Sequence, residues 1–190
     1  MKSQFIAVFL ALIMITMGST AVYGGETNIL VAYFSATGNT RAPAEHVASA
    51  LNADIYEIRP EIPYTSADLN YRDNSSRASL ENNNALSRPD ISGAVGNMEK
   101  YDIVFLGYPI WWGQAPRIIY TFLENYDFSG KTIVPFCTSG SSGIGSSATN
   151  LHALCSDNTK WLPGARLSRG ASRNDVVTWL NGLGLDVVAE

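Results

Sequence analysis

Asn28 to Phe34 reads NILVAYF, and Ser35 to Thr40, directly after it, reads SATGNT. The first stretch is a compact run of strand formers without helical spacing, which predicts a strand buried on both faces. The second is turn-rich and opens a predicted helix over Arg41 to Leu51, where Ala44, Val47, Ala48 and Leu51 share one stripe. Pro43 suits the first turn of that helix, where no amide donor is needed. A buried strand, a tight turn and an amphipathic helix form the opening of a parallel β/α unit.

The pattern repeats along the chain. Asp102 to Gly107 (DIVFLG) and Thr132 to Cys137 (TIVPFC) are two more buried strands, the second with Pro135 signalling an irregular end. Asp54 to Ile58 and Leu162 to Leu167 are shorter strands. Helices are expected over Pro116 to Asn125, Ser146 to Cys155 and Ser172 to Leu183, the last with Ser172 and Asp175 at its N-terminus. Glu61 to Glu99 is polar and the least regular part, with a helix expected over Asp68 to Asn82. Strands alternating with helices imply an α/β fold, a doubly wound parallel sheet of five strands with helices on both faces.

Composition narrows the function. The chain has 190 residues and a formal net charge of −4, long enough for one domain with a real core and without a basic cluster for nucleic acid. Normal apolar content excludes disorder as the main state. Two cysteines, Cys137 and Cys155, exclude a disulfide framework, and two histidines, His46 and His152, exclude a His-rich metal site. The cysteines read either as a pair or as two small buried hydrophobes; the histidines read as solvated helix residues. No metal site is expected.

The N-terminus reads as an address. Lys2 precedes Phe5 to Met17, which is apolar apart from Thr16, and small residues follow through Gly24. Residues 1–24 are expected to be a signal peptide, cleaved after Ala21 or Gly24, or an N-terminal membrane anchor over Phe5 to Val22. The protein is therefore expected to be exported, with a membrane contact only through that anchor, and residues 25–190 to form the working domain.

Ligands of open α/β sheets bind beyond the carboxyl ends of the strands. Three loops stand there. Ser35-Ala36-Thr37-Gly38-Asn39-Thr40 combines free helix-start amides, hydroxyls and a glycine, a combination that binds phosphate without lysine. It is neither a Walker A loop nor a G-x-G-x-x-G turn, and by itself it also reads as a helix cap. Tyr108-Pro109-Ile110-Trp111-Trp112-Gly113 offers two indoles, one expected to cap the core and one to face an aromatic ligand. Thr138-Ser139-Gly140-Ser141-Ser142-Gly143 supplies small residues and free amides for a planar polar edge.

With these residues in view, the chain resembles the flavodoxin family. SATGNT resembles its phosphate loop, and Gly107 to Ser147, with Ser87 to Ile91 (SRPDI), resembles a flavodoxin-like subgroup with a PIWWG loop; the likeness spans about Thr27 to Leu183. It implies the strand order 2-1-3-4-5 and a non-covalently bound FMN. By resemblance, Ser35, Ala36, Thr37, Gly38, Asn39 and Thr40 hold the FMN phosphate. Pro109, Ile110, Trp111, Trp112 and Gly113 flank the isoalloxazine ring, with Gly113 the candidate backbone group for its N5. Thr138, Ser139 and Gly140 meet its polar edge. Thr138 to Ser147 contains no second aromatic of the kind many electron-carrying flavodoxins stack on the ring. The first expectation is an electron-transfer flavoprotein serving a redox partner protein. The second is an FMN-dependent NAD(P)H oxidoreductase acting on a quinone or other small acceptor, favoured by the missing aromatic and disfavoured by the lack of a dinucleotide fingerprint. The third, a non-redox interaction module, sits poorly with an intact phosphate loop.

Overall fold

The computed structural model describes residues 27–185; the expected leader, residues 1–24, lies outside them. The chain forms β1 (Ile29–Tyr33), α1 (Arg41–Leu51), β2 (Asp54–Glu57), β3 (Arg59–Pro60), α2 (Arg77–Asn83), β4 (Ile91–Ser92), β5 (Ile103–Pro109), α3 (Arg117–Glu124), β6 (Thr132–Thr138), β7 (Lys160–Trp161), β8 (Ala165–Arg166) and α4 (Arg173–Asn181). The main sheet is parallel, in the order β2-β1-β5-β6-β7, with β8 also on β6. This is the 2-1-3-4-5 arrangement of a flavodoxin-like fold. β3 and β4 form a small antiparallel pair apart from it, which the sequence reading does not contain.

The period of two along each buried strand sorts its side chains onto two cores. Leu30, Ala32 and Phe34 join Val104, Leu106, Tyr108, Ile133 and Cys137 under α3. Ile29, Val31 and Tyr33 join Ile103, Phe105, Val134 and Phe136 under α1 and α4. From α3, Ile118, Ile119, Phe122 and Leu123 fill the first layer. Ala44, Val47 and Ala48 of α1 and Val176 and Leu180 of α4 fill the second. A Cβ at Gly107 would lie 2.3 Å from the Phe136 ring, which itself packs on Trp179 at 6.0 Å.

Four expectations need correction. The strand expected over Leu162 to Leu167 is reduced to β8, Ala165–Arg166, with β7, Lys160–Trp161, formed just before it. Leu162 and Leu167 still donate to Ile133 and Cys137 of β6, but between them Gly164 lies against Pro135, whose carbonyl is 2.8 Å from where its Cβ would be. Pro135 has no donor for an edge strand at that point, so the ladder breaks there. The helix expected over Ser146 to Cys155 is two 3-10 turns, Gly145–Ser147 and Thr149–Leu154. Its hydroxyls bond backward to carbonyls, Ser147 to Ile144 and Thr149 to Ser146, competing with an α-helical ladder. The helix expected over Asp68 to Asn82 begins only at Arg77, because Ser76 caps it by accepting from the Ser79 amide. Upstream, Thr65–Asp68 and Asp73–Ser75 hydrogen bonds hold local turns instead. Finally, His46 is not a freely solvated residue: its ring is half-buried, with Nδ1 3.1 Å from the Ala171 carbonyl. His152, exposed as expected, stacks on Trp161 at 4.5 Å.

Both cysteines are free thiols, Cys137 buried and Cys155 half-buried, and burial pushes each up to about 11. Native thiols should therefore react slowly with a disulfide reagent at pH 8, and rapidly once urea unfolds the chain. Fast native modification would contradict the burial. A raised thiol also binds its proton more tightly in the folded chain, so this contribution to stability should be present below about pH 8.5 and decline as pH rises toward 11. Gly107→Ala should cost about 1–3 kcal/mol in urea unfolding through overlap with Phe136; a variant as stable as wild type would show that the ring can move aside.

Candidate functional site

Three strand ends bring the three expected loops together. After β1, Ser35 Oγ accepts from the Thr40 amide at 3.0 Å, closing the first turn. Gly38 takes φ +81°, a left-handed conformation that costs a glycine little, and the carbonyl of Gly38 accepts from the Arg41 amide. Asn39 Nδ2 donates to Thr37 Oγ1 at 2.9 Å. α1 starts at Arg41 with no side-chain cap and no acidic residue in its first turn, so its positive end is not neutralised from within. Thr40, fully buried, is directed elsewhere: its hydroxyl meets the Thr138 hydroxyl at 2.8 Å and ties the first loop to the end of β6.

The second loop continues that tie. The Ile110 amide donates to the Thr138 carbonyl at 2.9 Å. Trp111 and Gln114 exchange two backbone hydrogen bonds of 2.9 Å around Trp112 and Gly113, whose φ values are +46° and +76°. Two successive left-handed residues are the pattern of a type I′ turn, which glycine tolerates and a tryptophan does not. The two indoles part company, as the sequence reading anticipates. Trp111 packs edge-on against Phe34 and Tyr64, with centroids at 5.6 and 5.4 Å, and so caps the core under α3. Trp112 is 44% exposed and projects from the strained turn.

In the third loop, Thr138 is buried and Ser139 Oγ donates to the Ser142 carbonyl. Arg166 Nη1 donates to the Ser141 carbonyl at 2.7 Å and braces the loop from β8. Tyr108 and Ser147 hydroxyls lie 3.2 Å apart beneath it, and burial raises the Tyr108 phenol far above its ordinary range.

These loops border two adjoining hollows. One, of about 340 Å³, is mostly apolar and lined by Ser35, Ala36, Thr37, Thr40 and Pro109 to Trp112. The other, of about 480 Å³, is polar and lined by Thr37, Asn39, Pro109 to Trp111 and Thr138 to Gly140. Both volumes are in the range of small-molecule sites. Gly38 and Gly113 shape the turns without lining either hollow. Six further lining residues were not foreseen: Leu69, Tyr71 and Ala78 in the apolar hollow, Arg166, Ser168 and Arg169 in the polar one. The last three stand at and just beyond the end of the final strand, and the rule that sites form beyond strand ends could have found them. Leu69 and Tyr71 carried only the weak signal of apolar residues in a polar stretch. Among the described residues no carboxylate lines either hollow, and no group of three or more His, Cys, Asp or Glu side chains could hold a metal. Arg41 turns away from both hollows and pairs with Glu57 at 2.7 Å, a carboxylate that also holds Arg59 at 2.9 Å.

Residues 28–183 match the flavodoxin family. A candidate flavoprotein from Bacteroides eggerthii DSM 20697 is 45% identical, the match covering 84% of this chain and 99% of that one with a TM-score of 0.77. A candidate flavoprotein from Bacteroides uniformis ATCC 8492 is likewise 45% identical, covering 82% of this chain and 98% of that one, with a TM-score of 0.78. A flavoprotein from Lactobacillus acidophilus NCFM, crystallised in complex with FMN, shares the fold at 19% identity and a TM-score of 0.62, over 84% of this chain and 99% of its own. No curated protein matches.

The two indoles should separate in stability. Trp111→Ala should cost about 3 kcal/mol or more in urea unfolding, because it removes an aromatic packed against Phe34 and Tyr64. Trp112→Gly should stay within about 1 kcal/mol of wild type, since relief of the left-handed strain offsets what the exposed ring loses. Equal losses would refute the division of roles.

Proposed function

The chain belongs to the flavodoxin family, and on that premise we propose that it binds FMN without a covalent bond and moves electrons through it. The observation that carries the reading is the first turn: shaped by a left-handed Gly38 and leading into an uncapped helix start, it lines with Ser35, Thr37, Asn39 and Thr40 two hollows that hold no carboxylate among the described residues. That donor set suits a phosphate monoester. The rest of the site suits the remainder of the mononucleotide, with indole faces on one wall and the Thr138–Gly140 backbone on another. The flavin, when bound, supplies the one- and two-electron chemistry.

The chain's own residues bind, orient and shield. Ser35 to Thr40 hold the phosphate, with Thr40 acting through its buried bond to Thr138 to keep two loops in register. Pro109 to Gly113 flank the ring, and Trp112 is the indole free to lie on it. Thr138, Ser139 and Gly140 offer polar groups to its edge, on a loop that Arg166 keeps in place.

The first role proposed is an electron carrier for a redox partner protein. A second reading, an FMN-dependent oxidoreductase taking electrons from NAD(P)H to a quinone-like acceptor, is favoured by one observation. The apolar hollow is lined by Leu69 and Tyr71 as well as by Trp112, apolar walls that suit a small flat molecule. Export is part of the proposal and rests on the leader-like sequence of Met1 to Gly24; among the described residues no helix is long and apolar enough to cross a membrane.

Apo protein titrated with FMN should quench the flavin fluorescence to saturation and acquire a bound-flavin visible spectrum. No quenching at saturating protein would overturn the redox reading. Trp112→Ala should weaken FMN binding by about tenfold, a loss of about 1.4 kcal/mol for one aromatic contact. Steady-state NAD(P)H oxidation with a quinone separates the two roles: turnover supports the enzyme, whereas reversible photoreduction without turnover supports the carrier.

A further inference from the structure

The polar hollow has a cationic rim, and one member of it, Arg169, has no part in the roles above. Arg166 at the end of β8, with Ser168 and Arg169 just after it, lines the same hollow as Thr37 and Asn39 of the first turn. Arg166 is engaged with the Ser141 carbonyl. Arg169 is exposed and has no ion-pair or hydrogen-bond partner among the described residues. With no carboxylate among the described residues that line the hollow, and a chain that carries a net charge of −4, this guanidinium stands unbalanced where the phosphate turn opens. Its planar fork of donors matches phosphate oxygens in pairs. Arg173, also exposed and one turn into the sequence beyond, does not line the hollow.

We propose that Arg169 is the side-chain cation for the phosphate monoester of the bound mononucleotide, sharing the polar hollow with Thr37 and Asn39 of the first turn. This rests on the FMN reading and alters one part of it: the phosphate is held by amides, hydroxyls and a guanidinium brought from the opposite end of the sequence. The monoester could instead belong to a second, incoming nucleotide. The cofactor's own phosphate is favoured because Arg169 shares its hollow with the first turn and does not line the apolar hollow that reaches Trp112 and Tyr71.

The test is fluorescence titration of apo wild type, Arg169→Gln, Arg169→Lys and Arg173→Gln with FMN and with riboflavin, which lacks the phosphate, at low and high salt. Arg169→Gln should bind FMN about tenfold to a hundredfold more weakly while its riboflavin affinity stays within twofold of wild type. Arg169→Lys should recover part of the loss, and Arg173→Gln should remain within twofold of wild type for both ligands. Added salt should weaken FMN binding more in wild type than in Arg169→Gln. Unchanged FMN affinity in Arg169→Gln, or an equal loss for riboflavin, overturns the proposal. So does a loss seen only as a raised KM of the FMN-loaded protein for NADPH over NADH, which would assign the arginine to a second nucleotide. Failure of wild type to bind either flavin would strike the FMN reading itself, a result distinct from any difference between variants. Far-UV circular dichroism and thermal midpoints of the four proteins verify that folding is preserved.

Discussion

A central parallel strand has no face that can be left in water, and the architecture follows from meeting that demand twice over. Residues of β1 alternate between two cores, as do those of β5 and β6. Each face needs its own helices, so the chain leaves β1 toward the side of α1 and leaves β5 toward the side of α3. β1 and β5 are neighbours in the sheet. Where adjacent strands send their connections to opposite faces, the loops diverge and a crevice opens above the strand ends. Ser35 to Thr40 form one lip of that crevice and Ile110 to Gly113 the other. The Thr40–Thr138 hydroxyl contact reaches across the end of β5 between two strands that do not pair, and the Ile110 amide bonds to Thr138 as well. The floor is thus held by polar groups that are buried and satisfied, and stripping either partner would leave an orphan worth about 1–3 kcal/mol.

What was legible in the sequence is what burial writes there. NILVAYF, DIVFLG and TIVPFC are unbroken apolar runs because both faces are covered, and each appears as a strand within one or two residues of its expected place. Ser172 with Asp175 announced α4, and both halves of that capping box are formed. The first-turn loop, the two tryptophans and the Thr138–Gly140 loop were legible for a related reason: strand ends dictate where side chains can meet a ligand. The illegible parts are those where burial does not decide. α2 begins where Ser76 caps it, with turns before it set by side-chain hydrogen bonds. The final edge strand breaks where two local exceptions, Pro135 and Gly164, meet across the ladder. That meeting is a tertiary event, and no periodicity foretells it.

Strain and free backbone concentrate in the crevice. Trp112 is a bulky residue in a left-handed conformation, a placement that costs about 1–2 kcal/mol and persists only where the surroundings enforce it. The enforcement is visible. Trp111 and Gln114 clamp the turn with reciprocal hydrogen bonds, and Gln114 accepts from Asn150 at 2.7 Å. Trp111 is itself wedged between Phe34 and Tyr64. One buried indole therefore fixes the turn that displays the other.

The two walls of the crevice are built by different forces, and this bears on what each can recognise. The polar wall hangs from β6 and β8, whose pairing carries Thr138 and Arg166 into place. The wall that carries Leu69 and Tyr71 belongs to the segment between β3 and β4, most of whose residues are exposed and which meets the body through Tyr64 on Phe34 and Trp111, the Arg117 bond to the Asn82 carbonyl and the Arg88–Glu124 pair. Within the segment, Tyr64 donates to Glu81 at 2.5 Å and Arg77 pairs with Glu81 and lies over the Tyr64 ring at 4.1 Å; toward α3, Arg88 grips Glu124 with two bonds of 2.6 and 2.8 Å. Arg88 holds the Glu124 carboxyl below its usual range, the sign of a favourable pair, yet exposed pairs of this kind contribute little to stability. Segments tied by surface hydrogen bonds and few buried apolar contacts open at lower free energy than core strands do. The polar wall is accordingly the rigid one, suited to holding a cofactor in one pose. The apolar wall is the yielding one, suited to whatever exchanges electrons beside it.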